Sequence, residues 1–205
     1  MFSSEFLKAL FTLEKSVVHD QIARLTRNQR AMVRSSHSCM ERESTRNGLG
    51  LFVRLFSEYP QYKKHMAAIS RDTGQCPHIF GPTTKSWHCL HGGLKANLLG
   101  LFHNFMFKTR VLAKTSNFGF KQVVAVLDDD DKLIEVAKRI AGSHCKWNIC
   151  KFHIENMVPS LLEVLNLCMG GEMTPEIANS WTTLYDIIGN IINIEKTKCN
   201  KNSHS

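Results

Sequence analysis

The sequence predicts an all-α protein. Apolar residues recur at helical spacing along most of the chain, as in Leu133, Val136, Ala137, Ile140 and Ala141. No stretch shows the strict alternation of a half-buried strand. The nearest, Val123 to Leu127, continues a helical pattern. Helix punctuation agrees: start signals at Thr26–Gln29 and Thr174–Pro175–Glu176, and stop signals at Pro60 and at Gly170–Gly171. About six to eight helices suit one domain in a chain of 205 residues.

Residues 1–20 read as an N-terminal extension, and the helical domain as 21–195. Thr26 caps the first helix, TRNQRAMVRSSHSCM, and Gln29 three residues later completes a capping box. Val33, His37 and Met40 share its inner face. In GLGLFVRLFSEYP the stripe is Leu51, Phe52, Leu55, Phe56 and Tyr59, and Pro60 ends it by pushing its predecessor out of the α region. Residues 71–95 show no period and carry Gly, Pro and Thr throughout, so they read as a long loop. Helix resumes from about Leu98, with Leu112, Ser116, Phe120, Val123 and Val124 on one face.

The acidic run at 128–131 reads as a solvated turn that favours a helix N-terminus. It lacks the alternating ligands and glycine of a calcium loop. The helix after it, Lys132 to Ser143, carries its apolar stripe on to His144, which points inward at the helix end. A helix over Lys151 to Cys168 buries Ile154, Met157, Val158, Leu161, Leu162 and Leu165, with Pro159 inside it as a source of kinking. Thr174 and Pro175 open the last helix, whose stripe is Ile177, Trp181, Leu184, Ile188 and Ile191. Trp181 is expected in the core and Tyr185 at its rim. The polar residues 196–205 read as a disordered tail.

Composition narrows the function. Hydrophobic residues at 43% and charged residues at 21% exclude a disordered chain. The net charge of +8 would suit nucleic acid, but Lys and Arg are scattered, so the charge reads as a solvated basic surface with no nucleic-acid partner. Seven cysteines, an odd number at irregular spacing, argue for reduced thiols in an intracellular setting. The longest apolar stretch, Leu98 to Phe107, is broken by His103 and Asn104 and is too short to span a bilayer. The first residues, MFSSEFLKALFTLEKS, carry Glu5 and Lys8 within the apolar run and do not form a signal peptide. A soluble cytoplasmic protein is expected.

The order of these signals resembles that of the globins, in particular the invertebrate and nematode globins. "LFVRLFSEYPQYKKHM" is similar to the globin second helix and the corner after it. "LDDDDKLIEVAKRIAGSH" is similar to the approach to the haem-binding histidine, and "TPEIANSWTTLYDII" to the last globin helix. "VRSSH" stands where many globins have a Val-Arg-x-Ser-Trp run, with His37 in place of the tryptophan. The resemblance covers about residues 22–70 and 105–195.

The resemblance implies haem b, iron protoporphyrin IX, as cofactor, and oxygen or another diatomic gas as ligand, for transport, storage or sensing and not for enzymatic turnover. It places His144 as the iron ligand, Ile149 under the porphyrin, and Phe52 over the distal side. It places Met66 where globins have a phenylalanine, Leu112 at the distal histidine position, and Ser116 one turn on. Lys146 falls at the solvent edge near a propionate. Two departures stand out: Leu112 cannot hydrogen-bond a bound gas, and the chain between Pro60 and Leu112 is longer than a typical globin's.

The residues taken alone leave other readings open. A lone histidine on an apolar face can be a core or helix-cap residue. Cys76, His78, His88, Cys89 and His91 lie within the loop as CPH and WHCLH, a spacing that zinc could use but unlike a paired C-x₂-C. No third group orients a Cys–His pair there for catalysis. Cys145, beside His144, reads either as a redox-sensitive thiol or, the commoner case, as an inert one. The alternative function is a haem-free helical interaction protein, with a zinc-binding loop at 76–91.

Overall fold

The computed structural model describes residues 16–63, 109–110, 112–117 and 119–202, with side chains through Lys198. The described residues are helical, with turns between the helices and no strand among them. In chain order they form α1 (residues 16–23), α2 (Arg27–Arg42), α3 (Ser44–Glu58), a 3-10 turn (Pro60–Tyr62), α4 (the helical residues among 109–125), α5 (Asp130–Lys146), α6 (Lys151–Cys168) and α7 (Pro175–Asn202). The loop 71–95, with its cysteines and histidines, and Met66 lie outside the described residues. No described helix is long and apolar enough to cross a membrane.

Local chemistry sets the helix ends. Thr26 Oγ1 accepts from Gln29 N, and the Gln29 side chain accepts from Thr26 N at 3.0 Å. Two of the first-turn N–H groups are thereby satisfied. Tyr59, before Pro60, has left the α region and ends α3. Asp129 caps α5 by accepting from Lys132 N at 3.1 Å, and Asp130 and Asp131 occupy its first turn. Gly170 and Gly171, at φ +70° and +88°, make the turn after α6 in a region that glycine enters without steric cost.

Packing centres on α7. It lies against α2, α5 and α6, while α3 packs on α6. Trp181, Leu184, Ile187, Ile191 and Ile192 are all buried, and the indole N–H of Trp181 donates to Ser36 Oγ on α2 at 2.9 Å. Where α3 and α4 cross, Gly48 lies so close to Asn117 and Ala113 that any Cβ would meet them at 2.9–3.1 Å. Asn117 Nδ2 seals the crossing by donating to the Ser44 carbonyl. Arg30 locks the other end. Its guanidinium reaches the carbonyls of Leu25 and Leu127 and the Asp130 carboxylate, tying the α1–α2 turn to the turn before α5.

Both termini extend the ordered domain. Residues 16–20, read as extension, are helical, and Val18 and Ile22 are buried. Residues 196–202, read as tail, continue α7 to Asn202. Polarity alone does not melt a helix whose preceding turns are anchored in a core. Here Lys198 pairs with Glu195 at 2.7 Å, and Lys196 donates to Asn148 Oδ1 at 2.7 Å. Tyr185, expected at the rim, is 3% exposed and belongs to the core.

Candidate functional site

A cavity of about 520 Å³ opens between α3, α4, α5 and α6, with α7 closing its back. Its size falls within the usual range for small-molecule and cofactor sites, about 300–1,000 Å³. The stripes that form the helices also form its walls. From α3 come Phe52, Leu55 and Phe56, and the rings of Phe52 and Phe56 stack with centroids 5.9 Å apart. From α4 come Leu112, Ser116, Gly119, Phe120 and Val123, which helical spacing places on one face. Ile154 and Met157 of α6 and Ile188 of α7 complete the apolar lining.

His144 lines this cavity at the end of α5. Its Nδ1 lies 2.8 Å from the carbonyl of Ile140, one turn earlier. A carbonyl only accepts, so Nδ1 carries the proton, and the neutral imidazole keeps its lone pair at Nε2. Burial holds the His144 pKa below the ordinary histidine value, and the bond to Ile140 opposes this in part. The imidazole is therefore held in the form that ligates metals. The chain reverses just after it. Asn148 takes φ +55°, a region asparagine tolerates better than most residues, and Ile149 N donates back to the His144 carbonyl at 3.0 Å. That turn returns Ile149 to the cavity wall beside the histidine.

The open edge is polar. Arg139, Gln122, Ser143 and Thr115 line it, and Arg139 Nη2 donates to Gln122 Oε1 at 3.0 Å, joining α5 to α4. Lys146, expected at this edge, is exposed and outside the lining, because it sits two positions past His144 on another side of α5.

Five of the six residues singled out in the sequence meet at this cavity: His144, Leu112, Ser116, Phe52 and Ile149. Met66 lies outside the described residues. Sequence reading missed His153, Tyr62 and Tyr185. His153, Met157 and Leu161 follow one another at i, i+4 and i+8, a signal that places His153 on the inner face of α6. Tyr62 packs its ring 4.8 Å from the His153 ring and accepts from Asn156 Nδ2 at 2.6 Å. Tyr185 sits at i+4 from Trp181 on α7, and its buried hydroxyl has no hydrogen-bond partner among the described residues. Burial raises its pKa well above the ordinary value, so the phenol stays neutral.

Among the described residues no group of three or more His, Cys, Asp or Glu side chains could hold a metal ion. Among the described residues, therefore, no ligand set of three or more such side chains includes His144. No protein-family model matches the chain.

Proposed function

We propose that this chain is a haem-binding globin that takes oxygen or another diatomic gas reversibly, for transport, storage or sensing. The observation that carries the reading is the setting of His144. Its imidazole lines a largely apolar cavity, with Nδ1 tied to a backbone carbonyl and the Nε2 lone pair left over. Haem needs one axial imidazole, an apolar slot and a polar edge for its carboxylates. All three are present in one cavity, and the helix order supports the same reading.

Each wall then has a part. His144 would hold the iron, and the Ile140 carbonyl fixes its tautomer and orientation. Phe52, Phe56, Leu112, Val123, Ile149, Ile154 and Met157 would exclude water from the bound group. Arg139 and Ser143 supply the polar edge in place of Lys146. Bound there, haem would supply the iron that takes a diatomic gas. Leu112 offers that gas no hydrogen bond, whereas Ser116 and Thr115 bring hydroxyls to the wall.

Titration of the purified chain with haem tests the reading. Wild type is expected to give the sharp Soret absorbance of an imidazole-ligated haem. His144→Ala is expected to lose it and to regain it on addition of free imidazole. Identical spectra for wild type and variant would overturn the assignment of His144, and no specific uptake by wild type would overturn the haem reading itself.

A further inference from the structure

A nucleophile and a base meet beside the cavity. Cys150 stands at the start of α6, and its Sγ lies 3.1 Å from Nδ1 of His153. The backbone N–H of Cys150 donates to that same Nδ1 at 3.2 Å. An N–H can only donate, so Nδ1 is the unprotonated nitrogen of the neutral ring, and the ring's proton is on Nε2. Its single lone pair is shared between the Cys150 N–H and the sulfur, and can take the thiol's proton in exchange for the N–H bond. A third contact orients the ring, for Tyr62 packs against it at 4.8 Å, with the Tyr62 hydroxyl held by Asn156. The thiol itself is only half-buried. A nucleophile, an adjacent base and a group that orients the base make up the arrangement of an activated thiol.

We propose that Cys150 and His153 form a nucleophilic dyad and that Cys150 is a covalent modification site for small electrophiles with an S–S or O–O bond. The step balances. Cys150 Sγ attacks one sulfur of a disulfide while its proton passes to His153 Nδ1. A new S–S bond forms, the old one breaks, and the departing thiolate takes the proton from the imidazolium. With a hydroperoxide the O–O bond breaks instead. The sulfur is oxidised to sulfenic acid, the peroxide is reduced, and the released oxygen leaves as water or alcohol with the same proton. Protonation of Nδ1 costs the bond from Cys150 N–H, and passing the proton to the departing group restores it. The positive end of α6 favours the negative charge on sulfur during attack. The inference uses no property of haem and stands or falls apart from the globin reading.

The test follows the rate at which each cysteine of the full chain reacts with dithiodipyridine, read by peptide mass spectrometry. A second arm uses hydrogen peroxide with dimedone to trap sulfenic acid. Cys150 is expected to react about tenfold faster than Cys39, Cys145 and Cys168, which are half-buried to a similar degree. His153→Gln keeps the capping acceptor for Cys150 N–H but removes the base. It should bring the Cys150 rate down to that of the other thiols, with circular dichroism unchanged. Reaction of Cys150 no faster than the others, or a His153→Gln rate equal to wild type, overturns the proposal. Reaction in the disulfide arm alone would restrict the modification to disulfide exchange, and reaction in the peroxide arm alone to oxidation.

Discussion

Replacing Arg30 by methionine should cost far more than the loss of one surface charge. The residue is 9% exposed and donates to four acceptors: Leu25 O at 2.9 Å, Leu127 O at 2.5 Å, Asp130 Oδ1 at 2.6 Å and, more weakly, Ile22 O at 3.4 Å, which also accepts from Leu25 N. Methionine keeps the packing of the aliphatic stem but none of the donors. The Asp130 side chain is half exposed, so water replaces its partner at a cost of about 1 kcal/mol or less. The carbonyls of Leu25 and Leu127 behave differently. They are buried, cannot be mutated away, and each costs about 1–3 kcal/mol when left without a donor. Relief from desolvating a buried guanidinium offsets part of this. It does not cancel it, because the acceptors remain. A net loss of roughly 2–5 kcal/mol follows, with a fall in Tm of about 2–4 °C per kcal/mol for a chain of this length. Urea unfolding followed by circular dichroism gives the number. Asp130→Asn in parallel should stay within about 1 kcal/mol. A loss below about 1 kcal/mol for Arg30→Met would show that the two turns are not held by this guanidinium.

Trp181→Ala should destabilise by about 3–5 kcal/mol through the cavity it leaves. A double-mutant cycle with Ser36→Ala should return a coupling of about 1 kcal/mol for the indole–hydroxyl bond, and a coupling near zero would show that the bond adds nothing. Stability should also fall on acidification. Burial lowers the pKa values of His144 and His37 in the folded chain, so the unfolded chain binds more protons as pH drops. The stability is complete above about pH 6.5 and is lost as pH falls through the lowered folded values. Melting temperatures across that window check this, and a flat profile shared by wild type and His144→Leu would refute it. In haem-loaded protein, oxygen should leave quickly past Leu112. Leu112→His should slow release by about tenfold, the equivalent of one added hydrogen bond of about 1.4 kcal/mol. Stopped-flow release measures this, and an unchanged rate would place some residue other than 112 against the ligand.

Much of the fold was legible in local sequence because its determinants are local. The capping box at Thr26 and Gln29, the end of α3 before Pro60, the acidic cap of α5 and the glycine turn after α6 each depend on a few adjacent residues. Helical periodicity also placed His144, Leu112, Ser116 and Phe52 on inward faces, and the turn after His144 brings Ile149 to the same wall. What periodicity could not supply was which inward faces meet. That depends on helix crossings such as the one Gly48 permits against Ala113 and Asn117. It depends also on long-range bonds such as Arg30 to Leu127 and Trp181 to Ser36. The ends of the domain were misread for the same reason. Residues 16–20 and 196–202 have weak local signals, and their helices are held by Val18 in the core and by Lys196 on Asn148. The tautomers of the two cavity histidines rest on local bonds that periodicity does not state. The Ile140 carbonyl, one turn earlier in α5, fixes one at His144, and the Cys150 N–H at the start of α6 fixes the other at His153, while only the packing of the helices brings both rings to one cavity.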